Sequence, residues 1–296
     1  MNFAEWLPAR ANSVDVNKGT FGHVFVVGGS PDYTGAPILT AEASARTGAG
    51  KVSLLFPSLL AQVIVSRLSP VIITKAIETD SNGFFTEVAA AEILSLCEAW
   101  NASVVALGPG LGREKATSTF VEALVETCPC PMVIDADALT LLARTSDHGA
   151  KLLRNRTQAT ILTPHPGELA SLLGVTTDEI QSDRPAAVQK VVQKFECVVV
   201  LKGFQTLVAD SLHGVSTNST GNPGLATGGT GDVLTGIIAG LIAQGLTPWR
   251  AAVAGVHIHG LAAELAAKEI GGVTGMIATD LQNSIPRAIA QTQKSN

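Results

Sequence analysis

The sequence predicts an α/β fold with a mostly parallel central sheet, helices on both of its faces, and a small antiparallel hairpin at one edge. Three observations lead there. Short β-branched runs alternate with helical stretches along most of the 296 residues. Those runs are apolar throughout rather than alternating, as strands buried on both faces are. After Lys202 the rhythm changes to two short strands around a turn, the mark of a hairpin.

In chain order, the spacing predicts core strands over 23–27, 51–56, 71–75, 103–107, 132–135, 160–163 and 197–201. Between them, apolar residues at helical spacing predict helices over 36–47, 87–100, 115–126, 167–173 and 184–195. The hairpin is expected from strands at 205–209 and 214–217, joined by the turn 210–213. Three further helices, 232–244, 248–268 and 278–291, complete the pattern. No linker, repeat or low-complexity tract interrupts it, so residues 1–296 are expected to form one domain.

Composition narrows the function. With 46% hydrophobic and 15% charged residues there is material for a large core. A net charge of −5 argues against a nucleic-acid binder, which would present a basic face. Any phosphate must therefore be held by local amides and a few lysines. The opening Met1-Asn-Phe-Ala-Glu-Trp6 is not a basic-plus-apolar leader, and the apolar helices fall short of about 18 uninterrupted positions, so no membrane span is expected. Of four cysteines, only Cys128-Pro-Cys130 is a close pair, poor spacing for zinc. Reduced, mostly buried thiols in a cytoplasmic protein are the reading.

Chemistry concentrates in Asn222-Pro-Gly-Leu-Ala-Thr-Gly228-Gly229-Thr230-Gly231-Asp232, which runs into an apolar helical stretch. Three glycines in four residues let amides turn toward a phosphate-like anion at the positive end of that helix. Asp232 is a carboxylate where negative charge would gather. That suits a base beside a phosphoryl acceptor, and the alternative is a plain helix cap. The loop lacks the lysine of a Walker motif. Leu234 breaks the dinucleotide fingerprint here, as Arg113 does in Gly108-Pro-Gly-Leu-Gly112.

The other unusual residues also fall at expected strand ends, where open α/β sheets bind ligands. They are Gly28-Gly29-Ser30, Gly108–Gly112, Asp135-Ala-Asp137, Thr163-Pro-His165-Pro-Gly-Glu168 and Lys202-Gly203. Pro164 and Pro166 stiffen the turn that presents His165. Glu168 either answers the helix dipole or joins a water or magnesium network. Lys202 either reaches nucleotide phosphates or is solvated. Asp135 and Asp137 are either a carboxylate pair or, for Asp137, a helix cap. Small residues at Gly35-Ala36 open the first long helix and permit close ligand approach. His257-Ile-His259 reads as packing or surface rather than metal, because residues two apart on a helix face different ways.

On these motifs, with Lys18-Gly-Thr-Phe-Gly22, Val133-Ile-Asp-Ala-Asp-Ala-Leu139 and Thr279-Asp280-Leu281, the chain resembles the ADP/ATP-dependent NAD(P)H-hydrate dehydratases, a branch of the ribokinase-like superfamily. The resemblance implies repair of hydrated NADH or NADPH (the S epimer) at the expense of ADP or ATP, with Mg2+. It implies Asp232 as the base, with the amides of Gly229 and Gly231 at the transferred phosphoryl group. It places Ala36, Gly110, His165 and Asp232 at the hydrate. Lys202, Gly203, Phe204, Gln205, Thr206 and Gly231 fall at the adenine nucleotide, and Glu168 indirectly at the metal. It further implies a separate NAD(P)H-hydrate epimerase as functional partner, because only about twenty residues precede the first motif, and a homotetramer. The alternative is a superfamily kinase acting on a hydroxymethyl vitamin precursor.

Overall fold

The computed structural model describes residues 3–7 and 15–294; Met1 and Asn2 of the opening stretch lie outside them. Among the described residues, nine strands form one sheet: β1 His23–Val27, β2 Lys51–Pro57, β3 Ile73–Ile77, β4 Val104–Leu107, β5 Met132–Ile134, β6 Thr160–Leu162, β7 Val198–Leu201, β8 Leu207–Asp210 and β9 Gly214–Thr217. Their order is β3-β2-β1-β4-β5-β6-β7-β8-β9. Pairing is parallel from β3 through β7 and antiparallel for β7–β8 and β8–β9, the expected hairpin edge.

Because side chains alternate along a strand, each core strand feeds two cores. Val24, Val26, Val104 and Ala106 pack with the helices Gly35–Thr47, Thr230–Ala243, Pro248–Ile270 and Ala278–Lys294. Phe25, Val27, Val105 and Leu107 pack with helices on the other face, including Glu87–Ala99 and Lys115–Thr127. Each fully buried valine, leucine or phenylalanine among them contributes roughly 1.5–3 kcal/mol. The continuous apolar runs are thus the direct cause of the two-layered helical cover.

One helix contact fixes the position of the glycine loop. A Cβ at Gly236 would collide with the Thr40 carbonyl oxygen and stand 2.8 Å from the Ala43 Cβ, so only glycine lets these two helix backbones approach. In that contact Ser44 Oγ donates to the Gly236 carbonyl at 3.1 Å, and Thr40 Oγ1 to the Asp232 carbonyl at 3.1 Å.

Several boundaries differ from the expectation. The edge strand β3 begins at Ile73 rather than Val71. Strand β8 begins at Leu207 rather than Gln205, because Gln205 takes a left-handed conformation (φ 52°) in the preceding turn. The loop's helix starts at Thr230, two residues before Asp232. Among the described residues, five α-helices were not foreseen: Phe3–Trp6, Ala61–Arg67, Ala136–Arg144, Ser146–Arg154 and Thr177–Ser182. Each has nine residues or fewer, too short for a clear apolar period.

Candidate active site

Strand β1 lies between β2 and β4, so the winding reverses between β1 and β4, the point where open sheets of this kind take ligands. The turns that leave these two strands are joined: Gly29 N donates to the Pro109 carbonyl at 3.0 Å. Across that join a Cβ on Gly110 would stand 3.3 Å from the Ala36 Cβ, so these two expected substrate positions are neighbours.

The helix Thr230–Ala243 enters the crevice without a cap. Its N-cap residue is Gly229, in the left-handed region (φ 88°), and no side chain accepts from the first turn. Among the described residues, the amides of Gly228, Gly229, Gly231 and Asp232 meet no acceptor. Asp232, in the first turn, therefore does not cap, and among the described residues its half-buried carboxylate accepts no hydrogen bond. Burial and then the negative charge of Asp135 push its pKa up to about 7, against the pull of Lys202.

Beneath the loop lies a buried ion-pair network. Lys202 Nζ is 2.7 Å from Asp135 Oδ1 and 3.7 Å from Glu168 Oε2, and only 19% of its side chain is exposed. The solvated reading of Lys202 is thereby excluded. Burial alone would push the ammonium toward neutrality, but Asp135, Glu168 and Asp232 outweigh it and raise its pKa. A Cβ on Gly231 would stand 3.5 Å from this ammonium, so the loop rests directly on the cation. The second Asp135 oxygen accepts from Thr235 Oγ1 at 2.7 Å, pinning the loop's helix to the end of β5.

Asp135 and Asp137 are not a pair acting together. Asp137 accepts from Gly112 N at 3.0 Å and from Arg113 Nε at 2.6 Å, so it holds the turn after β4. Nor does Asp137 cap its helix: Asp135 occupies that position, and no side-chain cap bond forms.

His165 is the N-cap of the helix Pro166–Leu173. Its Nδ1 accepts from Gly167 N at 3.0 Å and Glu168 N at 3.3 Å, while Glu168 Oε2 accepts from His165 N at 2.7 Å. With Nδ1 an acceptor, the neutral ring carries its proton on Nε2. Burial and then Lys202 lower the His165 pKa, against the pull of Asp135. Burial raises Glu168 to about 7.

A cavity of about 470 Å³ opens beside the network, and Lys202, Gly203, Phe204, Gln205, Thr206 and Gly231 all line it. It brings together every residue expected at the nucleotide. Sequence reasoning missed His259, on the wall of this cavity, whose Nε2 donates to the Thr230 carbonyl at 2.9 Å. Burial lowers its pKa to about 4, so it is a fixed neutral donor. Its neighbour His257 instead stacks on Phe3 at 4.4 Å, and the two share no metal site. Thr235 was missed as well; a threonine inside an apolar helix gave no local signal.

A family model described as NAD(P)H-hydrate dehydratase matches residues 24–287. The chain belongs to this family. An ADP-dependent (S)-NAD(P)H-hydrate dehydratase from Neisseria meningitidis is 39% identical over 273 residues, covering 92% of this chain and 86% of the relative. A bifunctional NAD(P)H-hydrate repair enzyme from Moorella thermoacetica is 39% identical over 293 residues, which is 97% of this chain but 52% of the relative. The chain thus spans about half the length of the bifunctional relatives it matches. Among solved structures, the Bacillus subtilis ADP/ATP-dependent NAD(P)H-hydrate dehydratase co-crystallised with ATP/Mg2+ gives a TM-score of 0.77 at 30% identity, covering 98% of this chain and 96% of that one. A ribokinase-like superfamily protein from Enterococcus faecalis gives 0.79 at 26% identity, covering 98% and 93%. As the resemblance implied, the chain carries a ribokinase-like fold. Among the described residues, no helix is long and apolar enough to cross a membrane.

Proposed function

We propose that this chain is an ADP/ATP-dependent (S)-NAD(P)H-hydrate dehydratase that returns hydrated NADH or NADPH to the reduced dinucleotide. One observation carries the mechanism: in the first turn of an uncapped helix stands the Asp232 carboxylate, which among the described residues accepts no hydrogen bond, and burial pushes its pKa up to about 7. Asp232 takes the proton from the hydrate's hydroxyl, whose oxygen attacks the terminal phosphorus of the nucleotide. The amides of Gly229 and Gly231 face the charge that develops there, and Lys202 adds the local cation. The ring nitrogen's electrons then expel phosphate, and loss of a proton from the adjacent carbon restores the double bond. The products are NADH or NADPH, phosphate, and AMP from ADP or ADP from ATP.

In this reading Ala36, Gly110 and the Nε2 of His165 meet the hydrate. The stretch Lys202–Thr206 holds the adenine nucleotide, with the 88%-exposed ring of Phe204 available to stack on the base. Mg2+ fits as an ion held through phosphate oxygens and water. Among the described residues, no three ligand atoms of the crevice side chains come within 4.8 Å of one another to form a protein cage. Bound there, the ion supplies charge neutralisation on the phosphates, and Glu168 would hold its water shell.

An epimerase activity is the functional partner for the other epimer, consistent with the bifunctional relatives. Homo-oligomeric assembly as a tetramer belongs to the same reading. It is supported by exposed Leu59, Val63, Val65, Val71 and Ile73 on and beside the open edge strand β3. Light scattering at the mass of one chain would remove it. The activity is tested by incubating the protein with NADH hydrate and either ADP or ATP. Recovered reduced-nicotinamide absorbance with phosphate release is the expected result. A stable phosphorylated product with no recovery would mark a small-molecule kinase instead.

A further inference from the structure

At the opposite end of the sheet from the crevice, three thiols converge. Cys97 comes from the helix Glu87–Ala99, while Cys128 and Cys130 lie in the segment entering β5. Their sulfurs all lie within 4.8 Å of one another. All are free and buried. Cys130 Sγ donates to the Ala102 carbonyl at 3.2 Å, just before β4. Over the same segment sits a half-buried guanidinium: Arg156 donates to the Cys130 carbonyl at 2.7 Å, the Val125 carbonyl at 2.5 Å and the Cys128 carbonyl at 3.4 Å.

We propose that Cys97, Cys128 and Cys130 form a three-thiolate site for one soft divalent cation of the zinc or cadmium kind. A cation bonded to three sulfurs at roughly 2.3 Å holds them about 4 Å apart, and the thiols already sit at that scale. Three thiolates and a divalent ion leave one negative charge, which Arg156 balances in an interior where an uncompensated charge is costly. The fold supplies what the sequence spacing lacks, a third sulfur about thirty residues upstream of the Cys128-Pro-Cys130 pair. Binding releases the thiol protons and ties the end of one helix to the entry of β5, so the cation acts as a structural clamp remote from the crevice.

The test uses the full chain, reduced and stripped with a chelator, then titrated with Cd2+. The expected result is a sulfur-to-cadmium charge-transfer band that saturates at one equivalent per chain. One equivalent of Zn2+ should also remain after buffer exchange and raise the melting temperature by several degrees. Cys97→Ser and Cys128→Ser should lose the band, while Cys197→Ser, at the fourth cysteine, keeps it. Should the serine variants fail to fold, the unmodified chain decides: a folded protein with no band and no retained Zn2+ overturns the site. A band that persists in folded Cys128→Ser overturns it equally.

Discussion

Two helices begin at the crevice, and their amino termini are treated in opposite ways. The helix Pro166–Leu173 is closed by its own side chains, with His165 and Glu168 taking each other's backbone amides. The helix Thr230–Ala243 is left open, with glycine at its cap and, among the described residues, four amides without acceptors. Both carry an acid in the first turn placed where it could cap, yet only Glu168 does. A capped terminus is a finished structural element. An open one beside an unpaired carboxylate is unstable electrostatics held in place by its surroundings, and it becomes favourable when an anion with a proton to give arrives. The surroundings that hold it are Thr40, Thr235 and His259, which fasten the Asp232 carbonyl, the Asp135 carboxylate and the Thr230 carbonyl.

The sharpest way to break this contrast is Asp232→Asn. Turnover should fall at least about a hundredfold, the scale of a lost general base, while calorimetry shows nucleotide binding retained. Stability should move the other way. The folded-state pKa near 7 lies above the ordinary carboxylate value, so the folded chain keeps a proton that the unfolded chain has released. Wild-type stability therefore falls as pH rises from about 4 to about 7, and the asparagine variant lacks that loss. Melts at pH 5 and pH 8 should show the variant gaining on wild type at pH 8. Unchanged turnover would return Asp232 to a structural role.

The same ionisation sets a pH profile. The rate kcat/KM should rise through a limb near pH 7 as the base loses its proton. Because Glu168 also titrates near 7 and feels the same lysine, the limb belongs to the coupled set rather than to one residue. A limb near pH 4 would mean that the essential carboxylate is not this one.

Lys202→Met tests the network beneath the open terminus. It strands Asp135, which is 1% exposed, without its cation, and should cost about 3 kcal/mol in urea unfolding together with most nucleotide affinity. A stable variant that still binds nucleotide would mean that the loop does not depend on its cation.

Much of this was legible before the fold. Apolar runs gave the parallel core because a strand buried on both faces has little choice of residue, and the turns at Gly28, Gly108, Thr163 and Lys202 fell where such strands end. Choosing between a structural and a chemical role at Glu168 and Asp232 was not legible, since both sit in the first turn of a helix and the outcome depends on what precedes them: a histidine with a ring lone pair, or a glycine. Asp135 was seen but not its role, because Lys202 lies 67 residues away and Thr235 a hundred. Long-range partners leave no local period, and His259 looked like packing for the same reason.

The smallest expected effects come from the closed terminus, where capping and substrate contact can be separated at one residue. His165→Ala removes the acceptor for two amides and should cost about 1 kcal/mol, the usual value of a lost cap. His165→Asn supplies a good N-cap side chain and should restore most of that stability in urea unfolding. If the ring's Nε2 also meets the hydrate, the asparagine variant will still bind hydrate more weakly than wild type while nucleotide affinity stays unchanged in calorimetry. Full recovery of both stability and hydrate binding in His165→Asn would reduce His165 to its cap. The two helix termini would then differ completely, one wholly structural and the other wholly chemical.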